Sequence, residues 1–125
     1  MAKKPGVGST ATGAAVCRLI EQYQPEKARL FNDPVAKHLL GPVGMLMGLG
    51  FMRNFLVKQM EAIMPGLYGA QVCRTRFIDD AVNASLAKGI GQLVILGAGL
   101  DSRPYRLAGM ERVKVFEVDL PPVQY

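Results

Sequence analysis

Two glycines and a carboxylate carry the clearest chemistry in the sequence: Gly97 and Gly99, which close the run Leu93-Val94-Ile95-Leu96, and Asp119, twenty positions after Gly99. Glycine lets a backbone turn tightly and keeps side chains away from a bound group. A carboxylate at the end of the following hydrophobic run, Val113-Lys114-Val115-Phe116-Glu117-Val118, can accept hydrogen bonds from the two hydroxyls of a ribose. Together they suit a cofactor that contains a nucleoside. Many buried strands, however, end in Gly-x-Gly for steric reasons alone.

The kind of nucleoside is narrowed by the next residues. A dinucleotide site wants a third glycine three positions after the second, where the helix packs on the strand; here that position is Ser102, followed by Arg103 and Pro104. A nicotinamide-dependent oxidoreductase is thereby disfavoured. S-adenosyl-L-methionine carries no phosphate and needs only a close backbone approach and a ribose acceptor, so it fits the pattern better.

The elements that must position these residues follow from periodicity. Four consecutive aliphatic residues at 93–96 predict a strand covered on both faces, as in a parallel sheet. Upstream, Thr10 or Thr12 is suited to cap a helix running to about Gln24, where Pro25 stops it. Ala15, Val16, Leu19 and Ile20 would form its buried stripe, with Arg18 and Glu21 on another face. Pro25–Phe31 reads as a short helical piece. Asp33 can cap a further helix through Leu40, with Pro34 in its first turn. Val43–Met64 is rich in methionine and leucine and reads as a buried or partner-facing helix; its uncharged stretch, residues 39–52, falls short of the 18 or so residues of a membrane span. Plain core filling by its methionines is the simpler expectation than a pliable binding surface. A long helix is predicted over Gln71–Lys88, with Ile78, Ala81, Val82, Ser85 and Leu86 as its buried stripe. Helices are thus expected before residue 90, and the turn at Gly97–Gly99 should lie beside the end of Val113–Val118.

Composition excludes other classes. The 125 residues are half hydrophobic and one-fifth charged, which is globular rather than disordered. The net charge of +5 comes from scattered residues with no run beyond Lys3-Lys4, so no nucleic-acid surface is expected. Cys17 and Cys73 have no metal-binding spacing, and no metal site is expected. Two free thiols suit a reducing cytoplasm. Met1–Thr12 lacks the apolar core of a secretory signal and reads as a tail before the first helix. His38, the single histidine, reads as a core or surface residue before it reads as a base.

Three stretches in order, Cys73-Arg74-Thr75-Arg76-Phe77-Ile78-Asp79-Asp80, Val94–Arg103 and Phe116-Glu117-Val118-Asp119-Leu120-Pro121, resemble the leucine carboxyl methyltransferase family. Gly6-Val7-Gly8-Ser9-Thr10-Ala11 and Asn32-Asp33-Pro34 are similar to the family's opening. The resemblance implies an α/β fold of the class I S-adenosyl-L-methionine-dependent methyltransferase type (Rossmann-like), with residues 1–90 a helical N-terminal extension and residues 91–125 the first two strands of the cofactor-binding domain. It implies that Gly97 and Gly99 lie against the methyl donor, that Asp119 takes the ribose hydroxyls and that Arg74 pairs with the methionine carboxylate. Arg18 falls near a basic donor-binding residue of the family. For Arg76, Asp79, Asp101 and Arg103, structural ion pairing is as good a reading as ligand contact. The implied activity is O-methylation of a carboxylate or hydroxyl on a small molecule or protein. The family continues through further strands, so the sheet is expected to be incomplete in this chain. Its missing C-terminal half would come from a longer protein or a partner chain. The alternative is a non-catalytic module that binds a partner through the Met-rich helix and the open sheet edge.

Overall fold

The computed structural model describes residues 7–121. Of the tail expected at Met1–Thr12, the first six residues lie outside the described part, and the others already belong to the first helix. That helix, α1, spans Val7–Glu21. Pro25–Phe31, expected to be helical, is instead a turn in which the amides of Ala28 and Arg29 donate to the Pro25 carbonyl. The reason is Arg29, whose Nη2 donates to the Gln22 and Gln24 carbonyls at 2.8 and 3.2 Å. It satisfies carbonyls left bare beyond the end of α1 and folds the chain back.

Two short helices follow, α2 (Ala36–Leu39) and α3 (Pro42–Leu46). Asp33 does cap the first of them: its Oδ1 accepts from the Ala36 amide at 3.0 Å. Gly44 is required where these helices meet, since a Cβ there would stand 2.4 Å from the Lys37 carbonyl oxygen. The Met-rich segment is not one helix. Residues 47–49 separate α3 from α4 (Gly50–Ile63), and α4 is amphipathic in use. Met52, Leu56, Val57 and Met60 pack on the core, while Phe51 (68% exposed), Phe55 and Ile63 face outward. Met47, Met52 and Met60 fill core, as expected, whereas Met45 and Met64 are exposed.

The long helix α5 runs Leu67–Ala87, starting one turn before its predicted beginning. Its buried residues are Val72, Thr75 and Asp79, not the predicted stripe: Ile78, Val82, Ser85 and Leu86 are half-buried and Ala81 is exposed. The face that meets α1 is partly polar, which an apolar-period reading passes over.

Strands β1 (Gln92–Leu96) and β2 (Lys114–Val118) pair in parallel, Gln92 opposite Lys114 and Leu96 opposite Val118. Both strands of the described residues lie after residue 90, with helices before them, as the sequence predicts. A parallel pair needs a crossover. Here it contains a single short helix, α6 (Arg103–Arg106), and one 3-10 turn, Met110–Arg112. The expectation of a strand covered on both faces is corrected. Leu93, Ile95 and Val115 are half-buried, whereas Val94, Leu96 (77% exposed), Phe116 and Val118 are open to solvent. The continuous hydrophobicity is present, but no described element packs on that second face. Among the described residues no helix is long and apolar enough to cross a membrane.

The core is built around α1. Every residue from Ala15 to Glu21 is buried, because α2 packs on one side of this helix and α5 on another. Arg18 and Glu21, expected on another face from the apolar stripe, are therefore buried as well, and both are paired.

Candidate functional site

The turn after β1 is fixed to the end of β2 by its own backbone. The amides of Gly97 and Ala98 donate to the Val118 carbonyl at 2.7 and 3.2 Å, and the Gly99 amide donates to Asp119 Oδ2 at 2.6 Å. Gly97 and Gly99 have φ of +65° and +52°, a region in which a side chain strains the backbone. The two glycines serve different purposes. A Cβ on Gly97 would meet nothing within 4 Å, so this glycine faces open space. A Cβ on Gly99 would stand 2.9 Å from Cβ of Ala11. Gly99 thus makes room for α1, where the sequence suggested room for a ligand. Gly99→Ala is expected to destabilise the protein by about 1–2 kcal/mol from backbone handedness alone, with the Ala11 contact adding to it. Urea unfolding would measure this, and an unchanged midpoint would contradict the close contact.

Beside this turn lies a cleft of about 270 Å³. All five residues singled out in the sequence, Arg18, Arg74, Gly97, Gly99 and Asp119, line it together with Thr10, Ala11 and Ala14 of α1, Gln71, Thr75 and Ile78 of α5, and Ala98, Leu100, Asp101 and Arg103 of the turn. Four segments, α1, α5, the turn and the end of β2, meet here, which local periodicity could not show.

The three arginines of the cleft are in different states. Arg74 is exposed and, among the described residues, makes no ion pair or hydrogen bond. Arg18 is buried (8% exposed), with Nε donating to Asp33 Oδ2 at 2.9 Å and Nη2 donating to the Leu100 carbonyl. Arg103 is held at all three nitrogens: Nε on Asp79 at 2.7 Å, Nη1 on Asp101 at 2.5 Å and Nη2 on the Thr75 carbonyl. The structural reading therefore holds for Arg103, Asp79 and Asp101. Arg76 likewise pairs with Asp80 one turn on, at the surface. His38 is exposed on α2 and does not line the cleft.

Behind the cleft is a buried charge cluster. Asp33 Oδ2 accepts from Arg18 and from the Ser102 hydroxyl (2.5 Å), and Ser102 Oγ accepts from Arg106 Nε at 3.0 Å. Arg106 Nη2 reaches Asp79. Three arginines, Arg18, Arg103 and Arg106, thus face three aspartates, Asp33, Asp79 and Asp101, and the buried charge cancels. Sequence reasoning missed Ser102 and Arg106 in this role. Ser102 was visible only as the absence of a glycine, and its buried hydroxyl is the reason a glycine would not serve. Arg103 and Arg106, three apart on one helical turn, are the signal that was available.

Glu21 is held between the Leu30 amide and the Tyr68 hydroxyl, which donates to it at 2.9 Å. Burial and the adjacent carboxylate push the Tyr68 hydroxyl above its ordinary range. Burial likewise raises the Cys17 thiol to about 11, which keeps it protonated and unreactive at neutral pH. Among the described residues no cluster of potential metal ligands occurs.

A family model described as leucine carboxyl methyltransferase matches residues 11–125. A protein of Mycolicibacterium paratuberculosis is 42% identical over 94% of the chain, and one of Streptomyces coelicolor is 33% identical over 96% of it. A Mycobacterium bovis protein is 38% identical over 94% of the chain. All three are provisionally named S-adenosyl-L-methionine-dependent methyltransferases. The chain spans 37%, 41% and 38% of their respective lengths.

Proposed function

The chain belongs to the leucine carboxyl methyltransferase family, and from that premise we propose that its cleft holds S-adenosyl-L-methionine as the donor-binding part of a methyltransferase. The observation that carries the reading is Arg74, a cation unpaired among the described residues, in a cleft that Asp119 and the open Gly97 also line. A free guanidinium suits the methionine carboxylate, for which it offers planar paired donors. Asp119 keeps acceptor capacity beyond its bonds to the Gly99 and Leu120 amides, which suits the ribose diol. Gly97 leaves space where any side chain would intrude.

When bound, the donor supplies a methyl group on a sulfonium, ready for in-line displacement. The residues of this chain bind and orient it, and α1 closes over the turn through the Ala11–Gly99 contact. We read the parallel pair with its glycine turn as the start of a class I methyltransferase sheet. Residues 1–90 would form its helical cap, and Val94, Leu96, Phe116 and Val118 the face on which further strand–helix units pack. For the acceptor we favour O-methylation of a carboxylate, which is nucleophilic as it stands, or of a hydroxyl, which needs a base.

A second reading, a partner-binding module without catalysis, is favoured by one observation, the exposed Phe51 and Phe55 one turn apart on α4. Calorimetric titration with S-adenosylhomocysteine and with NAD separates the readings. Saturable binding of the first and none of the second is expected; absence of both would leave the module.

A further inference from the structure

Arg18 and Arg74 both border the cleft, but only Arg18 is built into the protein. A guanidinium has five N–H groups. One on Nε goes to Asp33, and one on Nη2 goes to the Leu100 carbonyl. No partner holds Nη1 among the described residues, and Nη1 is not among the buried side-chain atoms that lack one, which are Arg29 Nε and Asp79 Oδ2. The Arg18 side chain keeps 10% of its surface open and lines the cleft, which leaves the end not held by Asp33 and Leu100 for a ligand there.

What aims it is Asp33. This carboxylate is 0% exposed and cannot turn. Oδ1 accepts the Ala36 amide, Oδ2 accepts Ser102 Oγ, and the Asp33 amide donates to Gln22 Oε1 at 2.8 Å. Arg106 Nε stands 3.6 Å from the same Oδ2. An arginine side chain on its own samples many rotamers; one gripped along its Nε edge by a fixed carboxylate presents its far end in one direction.

We infer that Asp33 is a positioning residue that aims Arg18 at the donor cleft, making a second cation beside Arg74 for the donor's carboxylate. The inference rests on the donor reading above. It separates ligands: S-adenosylhomocysteine carries the carboxylate and adenosine does not. Asp33→Asn keeps the volume and the cap on Ala36 but removes the charge that grips Arg18. It should weaken S-adenosylhomocysteine about tenfold, as for loss of one charge-assisted hydrogen bond, and leave adenosine unchanged. Ser102→Ala keeps every charge and frees one side of Asp33; it should shift the same ligand in the same direction by a smaller factor, and it serves if Asp33→Asn fails to fold. In an Arg18→Met background, Asp33→Asn should have no further effect on the ratio of the two affinities. A purely structural Asp33 would lower both ligands together or neither, and either result overturns the inference. Wild-type protein that binds the two ligands equally would remove the donor reading itself, and this inference with it.

Discussion

Asp79→Ala is expected to cost about 3–5 kcal/mol of folding stability, the range for breaking a buried ion pair by deleting one partner. Asp79 accepts from Arg103 Nε at 2.7 Å and from Arg106 Nη2 at 2.8 Å, and all three side chains are nearly or wholly out of solvent. Removing it leaves three buried arginines against two aspartates, with the Arg106 guanidinium losing its partner on α5. Its sequence neighbour provides the control. Asp80 pairs with Arg76 across one turn of α5, with both side chains at least half exposed. Such pairs contribute about 0.3–0.5 kcal/mol, so Asp80→Ala should move the urea midpoint little. Similar losses in the two variants would mean that the cluster is not the buried, charge-balanced unit described above.

The second large effect concerns ligands. Arg74→Ala should weaken S-adenosylmethionine and S-adenosylhomocysteine by roughly tenfold to a hundredfold, about 1.5–3 kcal/mol for a charge-assisted contact. Arg74 has no structural partner to lose among the described residues, so stability should hold within about 0.5 kcal/mol, as for other surface substitutions. Adenosine, without the carboxylate, should bind as before. Asp119→Ala should weaken all three ligands, since it removes the ribose acceptor and also the anchor of the Gly99 amide. Calorimetry on the two variants with the three ligands tests the assignment. Equal loss of adenosine affinity in Arg74→Ala would move Arg74 away from the carboxylate.

Much of this site was legible because its signals are local. A left-handed turn needs glycine, so Gly97 and Gly99 announce it. A strand that follows a crossover and ends in an acid announces Asp119. Arg74 sits on a helix whose ends are marked by Pro65-Gly66 and Gly89. The sequence alone therefore determined the helical first part, the parallel strand pair, the position of the turn and three of the cleft residues, Gly97, Gly99 and Asp119, while Arg18 and Arg74 came from the resemblance. The resemblance of three ordered motifs supplied the donor's chemistry.

The tertiary structure decided what those residues have as neighbours. Arg18 finds Asp33 15 positions away and Leu100 82 positions away, and Ser102 reaches Asp33 across 69. No helical or strand period encodes such distances, so the apolar period of α1 left Arg18 and Glu21 off the buried stripe when they are core. The same holds for α5, whose face against the core carries Thr75 and Asp79 among its buried residues. A buried charge is tolerable only when its partner is present, and the partner comes from another segment. Packing also assigned the two glycines, one to helix α1 and one to open space. Sequence determines where a turn must be; only the assembled neighbours determine which of its sides is left for a ligand.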